Sequence, residues 1–269
     1  MSREFVTDSI SVIRAENPSP MTLEGTNTWI LQAALKKGQA SGAVVVDPGP
    51  DLAEHVDRLV ELGAIDLVLV THRHGDHTHA VDTLHERTGA PVRAFLLEHC
   101  REAQPLHGGE VLHAGGLQIQ VMHTPGHTSD SLSFVVTQIS DDGAPRTFVL
   151  TGDTVLGRGT TMIDHPDGTL ADYLATLDRL DALATGPGQA VGLPGHGQVV
   201  TDLALTVREL REHRLARVEE VRAALATVGS DPETLTDHIY PDVPWGARHA
   251  AVRSIEAQMA YLKPLDSSA

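Results

Sequence analysis

The sequence has few aromatic side chains and a single cysteine. Phe, Trp and Tyr make up 3% of the 269 residues, so aliphatic side chains must fill most of the core. The lone Cys100 excludes an intramolecular disulfide and is compatible with a reducing cytoplasm, where we expect the protein. No apolar run is long enough to cross a bilayer. The amino terminus also lacks the basic and apolar regions of a secretory signal, so we expect no association with a membrane.

Basic residues are also in short supply. Lys and Arg total 20 against 36 Asp and Glu, which gives a net charge of −16 and a pI near 5.3. Such an acidic surface repels phosphate backbones at long range, which counts against a general nucleic-acid binder. Bound metal ions and a local arginine cluster can still reverse the sign inside a cleft. Aromatic platforms for stacking single-stranded bases are equally scarce.

The apolar pattern predicts a mixed α/β fold followed by helices. Short apolar runs bounded by turn residues predict strands over much of the first 200 residues, with helices at about 52–62, 78–87 and 170–183. From residue 201 the strands stop. A long charged helix follows, and its apolar stripe comprises Leu203, Val207, Leu210, Val218, Val221 and Leu225. Helices at about 233–239 and 247–262 complete the chain, so we predict domains at 1–200 and 201–269.

The densest group of metal-binding residue types follows the apolar run at 65–70. Thr71 is followed there by His72-x-His74-x-Asp76-His77. A buried strand fixes where its last residue points, and the tight loop beyond it can aim several short polar side chains at one place. Imidazole and carboxylate are ligands that zinc prefers. The segment therefore predicts a metal site.

Three later segments repeat this arrangement of an apolar run followed by a polar residue at a glycine turn. They contain His127, Asp153 and His196, each beside a glycine. Glycine permits backbone turns that a side chain would hinder, and it lets the chain pass close to a site. One such turn is weak evidence, but four in one chain together indicate a single centre.

These motifs, in this order, resemble those of the metallo-β-lactamase superfamily. The resemblance covers residues from about 5 to 200 and implies an αββα sandwich with metals at one edge of its two sheets. It also implies roles for particular residues. The first metal would be held by His72, His74 and His127, the second by Asp76, His77 and His196, and Asp153 would bridge both. Asp47 stands where the superfamily commonly has an aspartate that hydrogen-bonds the metal loop, although a strand-ending aspartate before Pro-Gly has the same appearance.

The bridging Asp153 places the resemblance with glyoxalase II, phosphodiesterases and nucleases, and it disfavours a true β-lactamase. A narrower resemblance, to the mitochondrial β-lactamase-like endoribonuclease group and its bacterial relatives, covers nearly the whole chain and implies a winged-helix-like carboxyl-terminal region. The segments that carry it are 17–20, 25–29, 151–157, 167–174, 213–214 and 239–244.

The resemblance implies a hydrolase with two zinc ions, although manganese or iron can occupy the same ligands. A hydroxide that bridges the metals would attack a carbonyl or phosphorus centre. Asp76 and Asp153 are the predicted catalytic residues, with Asp76 also able to orient the nucleophile. Tyr173 and His165 are weaker candidates for a position near the leaving group, because each is more readily explained as structural.

The charge, the resemblance and the ligand set bear differently on three possible functions. Hydrolysis of a small ester or thioester agrees with the acidic charge and with glycine-rich loops that could frame a compact pocket. Cleavage of single-stranded RNA agrees with the whole-chain resemblance, but requires Arg14, Arg73, Arg101 and Arg158 to converge on the cleft. A non-catalytic metal-binding protein is disfavoured by the complete ligand set. The helical tail could shape the pocket or mediate a homodimer, and the sequence leaves both open.

Overall fold

A computed structural model of the chain describes residues 3–33, 41–139, 143–186 and 188–263. The strands in these ranges are β1 (Glu4–Thr7), β2 (Ile10–Arg14), β3 (Asn27–Leu31), β4 (Ala43–Val46), β5 (Ile65–Leu69), β6 (Val92–Arg93), β7 (Val111–Ala114), β8 (Leu117–His123), β9 (Leu132–Ile139), β10 (Pro145–Gly152) and β11 (Gln189–Pro194). The α-helices are α1 (Ala53–Val60), α2 (Gly75–Thr78), α3 (Val81–Thr88), α4 (Leu170–Ala184), α5 (Leu203–Leu225), α6 (Pro232–Ile239) and α7 (Arg248–Leu262). Within the described ranges, no helix is both long and apolar enough to cross a membrane.

The strands form two sheets. The first has the order β1-β2-β3-β4-β5-β6, and the second has the order β11-β10-β9-β8-β7. Strands β4, β5 and β6 run parallel, as do β10 and β11, while the remaining neighbours are antiparallel. Parallel neighbours end at the same edge of a sheet, so the loops after β4 and β5, and those after β10 and β11, emerge together.

Alternating side chains divide the core into layers. In β4, Val44 and Val46 pack between the two sheets, whereas Val45 packs on the outer face against α1 and α3. The second sheet behaves in the same way, because Val149 faces α4 and α5 while Phe148 and Leu150 face the first sheet. The result is helix, sheet, sheet, helix, so the predicted αββα sandwich is confirmed. A strand buried on both faces has a continuously apolar sequence, as 43–46 does.

One prediction about helices needs adjustment, and another is confirmed. The predicted helix at 78–87 is preceded by a separate short helix, α2, that carries part of the metal motif, and α3 begins only at Val81. The carboxyl-terminal region is helical as predicted, with α5, α6 and α7 sharing an apolar cluster around Val221, Leu235 and Ile255. The residues described after 201 contain no strand. The winged-helix detail and the division at residue 200 therefore stay predictions.

Gly126 sets how closely the loop of His127 approaches α4. Its φ is +143°, and a Cβ there would lie 2.4 Å from the Cα of Tyr173 in α4. We expect Gly126→Ala to lower the free energy of unfolding by about 3 kcal/mol or more, because backbone rather than a flexible side chain must move. Gly63→Ala is the control, since φ is +86° there but the space is open, and its cost should be about 1 kcal/mol. Equal losses in chemical denaturation would contradict this account.

Candidate metal centre

The seven predicted ligands lie together at the edge where the two sheets meet. They come from the segment after β5 and from the loops after β8, β10 and β11: His72, His74, Asp76, His77, His127, Asp153 and His196. Cross-sheet bonds hold this edge, since Leu132 N donates to the Thr71 carbonyl (2.7 Å) and the Trp29 indole donates to the Pro194 carbonyl (3.0 Å). The structure thus brings all seven predicted metal ligands into one place.

The first group consists of His72, His74 and His127. His74 Nδ1 lies 3.2 Å from His72 Nε2 and 3.0 Å from His127 Nε2. The rings meet edge to face, with centroids 4.7 to 4.8 Å apart. One ring nitrogen of each histidine therefore faces the same small space, as a three-histidine metal site requires.

The second group consists of Asp76, His77 and His196. His196 Nε2 is 3.1 Å from Asp76 Oδ2 and 3.3 Å from His77 Nε2. Asp76 Oδ2 is also 3.4 Å from His77 Nε2. These are again three potential ligand atoms turned toward one point, and one of them carries negative charge.

Asp153 lies between the two groups. Its Oδ1 is 3.5 Å from His77 Nε2, and its Oδ2 is 3.3 Å from His196 Nε2 and 4.0 Å from His127 Nε2. Oδ1 is buried without a hydrogen-bond partner. Gly195 makes room for it, because a Cβ at that position would lie 2.5 Å from Oδ1. A carboxylate with an unsatisfied buried oxygen facing both groups suits a shared metal ligand.

The outer nitrogens of three histidines donate to fixed acceptors. His127 Nδ1 donates to the Met162 carbonyl (2.7 Å), and His77 Nδ1 donates to Asp47 Oδ2 (2.8 Å). His196 Nδ1 faces the Gly25 carbonyl at 3.4 Å. Because these oxygens only accept, the hydrogen of each neutral imidazole belongs on the outer nitrogen. The inner nitrogens then keep their lone pairs.

The outer nitrogens of His72 and His74 also donate to fixed acceptors. Thr71 Oγ1 donates to Asp47 Oδ2 (2.7 Å), so it accepts from His72 Nδ1 (3.0 Å). His74 Nε2 donates to Asp164 Oδ2 (3.4 Å). All five inner nitrogens thus present lone pairs beside two carboxylates. This donor set fits divalent metal ions, and the outer acceptors orient the rings as they do around bound metals.

The charges in this space also favour a cation. Burial alone lowers the pKa of a histidine, but Asp76 and Asp153 outweigh it and raise the pKa of His77 to about 9. Asp153 and Asp76 likewise raise the pKa of His196 to about 11. Two protonated rings would then point Nε2 hydrogens at each other across 3.3 Å. A divalent ion can replace both protons and satisfy the carboxylates.

Asp47 hydrogen-bonds the metal loop, as its position in the sequence suggested. Its Oδ1 accepts from Thr71 N (2.7 Å), while Oδ2 accepts from Thr71 Oγ1 and His77 Nδ1. The residue adopts a φ of +56°, a conformation that costs free energy outside glycine. These three bonds hold it there.

The segments of the narrower resemblance support the second group. Asn17 Nδ2 donates to Thr26 Oγ1 (3.0 Å), which donates to Asp76 Oδ2 (3.2 Å). Asn27 Nδ2 donates to the Pro194 and Gly197 carbonyls (3.0 and 2.9 Å) on either side of His196. The segments at 17–20 and 25–29 therefore position Asp76 and His196.

Three predicted or suspected residues lie elsewhere. Tyr173 is fully buried, and its hydroxyl donates to the Thr154 carbonyl (2.9 Å). His165 lines a separate cavity beside α7. Neither residue lines the cavity over the centre within the described ranges, so their structural interpretation stays a prediction. Arg73 pairs with Asp164 and with Asp167 (3.1 Å), so it does not face the cleft freely.

Sequence analysis missed Asp164 and the Met162 carbonyl. Both lie in the loop before α4, where no motif marks them, and a carbonyl acceptor has no signature in the sequence. The segment 213–214 was part of the narrower resemblance, but Arg214 was assigned no role although its position leaves a signal. Arg214 lies four residues after Leu210 and four before Val218, on the apolar stripe of α5, where this spacing predicts a hydrophobic residue.

A cavity of about 550 Å³ lies over the centre. His74, Asp76, His127, Asp153 and His196 line one end of it. The carboxyl-terminal region also lines the cavity, with residues that include His213, Arg214, Arg217, Tyr240, Ala250 and Ala251. This volume lies within the range of small-molecule sites.

Comparison with known sequences decides the family. The sequence model of the metallo-beta-lactamase superfamily matches residues 21–196, which include all seven clustered side chains. The chain belongs to this superfamily. The predicted superfamily hydrolase is thereby confirmed at that level, and divalent metal ions are expected from the family.

Individual relatives agree with this family assignment. A beta-lactamase-like protein 2 homolog from Caenorhabditis elegans is 29% identical, with 94% of this chain and 83% of that protein covered. An atrochrysone carboxyl ACP thioesterase from Aspergillus novofumigatus is 31% identical over 82% of this chain. The match spans only 64% of that longer fungal protein.

Solved structures show the same fold. A beta-lactamase domain protein from Burkholderia ambifaria superposes with a TM-score of 0.78 at 22% identity, covering 97% of this chain and 88% of the other. A metallo-beta-lactamase family protein from Thermus thermophilus gives 0.75 at 22% identity, covering 96% and 94%. Both cover the carboxyl-terminal helices as well as the sandwich.

Proposed function

We propose that the protein is a dinuclear-zinc-dependent hydrolase acting on an ester or thioester. The observation that carries this proposal is the placement of Asp153 between two three-residue groups whose inner nitrogens and carboxylate oxygens face one space. His72, His74 and His127 would hold the first ion, and Asp76, His77 and His196 the second. The His/Asp donor set favours zinc, while manganese and iron accept the same ligands.

A bound pair of divalent ions supplies a hydroxide nucleophile near neutral pH and positive charge for the developing oxyanion. The residues of this chain prepare that site. The acceptors behind the five histidines fix each tautomer, and Thr26 holds Asp76 in position to orient the nucleophile through its other oxygen. Asp153 is the one carboxylate of the described residues that faces both groups. Its geometry supports the bridging role.

The cavity supports a compact substrate. Its wall includes Met21, Leu23, Leu156, Met162, Val243 and Ala251, which together can accommodate an apolar acyl chain. The thioesterase name carried by the Aspergillus relative agrees with a thioester. The match spans only 64% of that longer protein, so the proposal extends to a thioester and not to the particular substrate of the relative.

Cleavage of single-stranded RNA receives less support. Of the four arginines that it required, Arg158 lines the cavity but pairs with Glu24, and Arg14 lies at the end of β2 and does not line it. Arg73 pairs with Asp164, and Arg101 pairs with Asp82. The net charge of −16 opposes a polyanion at long range. A cytoplasmic location and a homodimer stay predictions.

A parallel assay tests the proposal. Zinc-loaded protein is offered a panel of acyl thioesters and a fluorogenic single-stranded RNA, before and after treatment with a chelator. We expect thioester turnover that disappears on chelation and returns with added zinc, while the RNA stays intact. Chelator-sensitive RNA cleavage without thioester turnover would replace the proposal with the endoribonuclease. Asp57→Ala, at an exposed carboxylate paired with Arg87, is a surface control and should match the unsubstituted protein.

A further inference from the structure

Arg214 is buried on the apolar stripe of α5. The buried residues of this helix follow helical spacing at Leu203, Val207, Leu210, Arg214, Val218 and Val221. Arg214 is only 2% exposed. Arginine is almost never this buried unless it is paired, so its partners need to be identified.

The described residues provide no anion for it. Arg214 donates to the Thr161 carbonyl, and its guanidinium lies over the Tyr173 ring, 5.3 Å from the centroid. Its Nε is buried without a hydrogen-bond partner. No carboxylate within the described ranges forms an ion pair with it. A buried charge that lacks its counter-ion costs considerable free energy.

Two more arginines line the same cavity, Arg217 and Arg158, and each pairs with a carboxylate, Arg217 with Glu220 and Arg158 with Glu24. His213 also lines the cavity, and burial together with Arg214 and Arg217 lowers its pKa. The only carboxylates among the described lining residues are Asp76 and Asp153, both in the metal centre. Arg214 is therefore the lining arginine that forms no ion pair within the described ranges.

The Arg214 guanidinium lies close to the metal centre. Thr161, whose carbonyl accepts from Arg214, places its hydroxyl 3.0 Å from His127 Nδ1. One residue therefore separates the guanidinium from a predicted metal ligand. A small molecule in the cavity can reach both the guanidinium and the metal centre.

We propose that Arg214, together with Arg217, binds an oxyanion on a substrate whose reacting carbonyl lies at the metal centre. The position of the carbonyl rests on the proposed function. The planar guanidinium suits a carboxylate or a phosphate monoester, which it binds with charge-assisted hydrogen bonds. The substrate class is then an anionic acyl thioester, with the charge either on the acyl chain as a second carboxylate or on the thiol carrier as a phosphate.

Calorimetry with matched probes tests binding without turnover. Zinc-loaded full-length protein is titrated with 4′-phosphopantetheine against pantetheine, and with glutarate against its monoamide. We expect the anionic member of one pair to bind about ten-fold more tightly or better, as one or two hydrogen bonds to a charged group provide. The first pair reports a phosphate on the carrier, and the second reports a carboxylate on the acyl chain. Equal affinities within both pairs would overturn the inference.

Three variants connect the preference to the side chains. Arg214→Gln keeps an N–H donor for the Thr161 carbonyl but removes the charge, and it should abolish the preference. Arg217→Gln should reduce the preference for the anionic probe. This second variant still tests the inference if Arg214→Gln folds poorly. Arg211→Gln is the matched control, because Arg211 lies on the same helix, exposed and bonded to Asp178. An unchanged preference in Arg214→Gln and Arg217→Gln would also overturn the inference.

Turnover separates binding from a purely structural role and from the proposed function. The ratio of kcat/KM for butyryl-4′-phosphopantetheine over butyryl-pantetheine, or for glutaryl- over butyryl-N-acetylcysteamine, should fall about ten-fold in Arg214→Gln, mainly through KM. Equal loss on charged and neutral thioesters would show a structural role and overturn the inference. An Arg214-dependent binding preference without turnover of any thioester would support the oxyanion site and refute the proposed function alone.

Discussion

We expect Asp153→Ala to abolish hydrolysis, with kcat/KM falling about 10³-fold or more, because the proposed function makes Asp153 a ligand shared by two catalytic ions. Asp153 is the carboxylate that faces both His77 and His196, at 3.5 and 3.3 Å. Its removal leaves the two groups without their common negative charge. Metal content measured by elemental analysis should drop from two ions per chain toward one.

The fold should survive this substitution. Asp153 Oδ1 has no hydrogen-bond partner among the described residues, so alanine removes no bond of that atom, and circular dichroism of the metal-free protein should be unchanged. Asp153→Asn is an informative companion, because it keeps the shape and loses the charge. Full activity and two bound ions in Asp153→Ala would disprove the bridging role.

Asp47→Ala should weaken both stability and metal binding although Asp47 is not a predicted ligand. The change leaves Thr71 N, Thr71 Oγ1 and His77 Nδ1 without their acceptor. Because three buried donors then lack an acceptor, the free energy of unfolding should fall by about 3 kcal/mol. Metal affinity should fall about 10- to 100-fold, as for other residues that orient a metal ligand.

Two further variants make this result specific. Asp47→Asn keeps one acceptor oxygen and tolerates the positive φ, so it should lie between Asp47→Ala and the unsubstituted protein. Asp51→Ala changes an exposed aspartate four residues along and should leave both quantities unchanged. Denaturation of the metal-free protein and competition with a zinc chelator provide the two measurements. Normal affinity in Asp47→Ala would mean that His77 is oriented by other contacts.

Most of the secondary structure could be predicted because local signals agree with the tertiary environment. The run at 43–46 is apolar throughout because both faces of the strand are buried. Gly63 and Gly89, which ended two predicted helices, have φ values of +86° and +69°, as glycines at these positions commonly do. The prediction was less accurate at α2, where the metal loop itself turns through a short helix that has no apolar periodicity.

The sequence by itself determined the family, the layered fold and the identity of the seven clustered side chains. Each of the seven follows a strand. Six of them follow β5, β10 or β11, whose parallel pairing sets a common edge, whereas His127 follows the antiparallel β8. Only the tertiary structure decided the tautomers, because the acceptors at Gly25, Met162 and Asp164 are distant in sequence from the rings that they orient. The tertiary structure also decided that Arg214 lies in the cavity wall with no carboxylate partner among the described residues. The apolar stripe of α5 shows which face of the helix is buried, but it does not show which residues pack against that face.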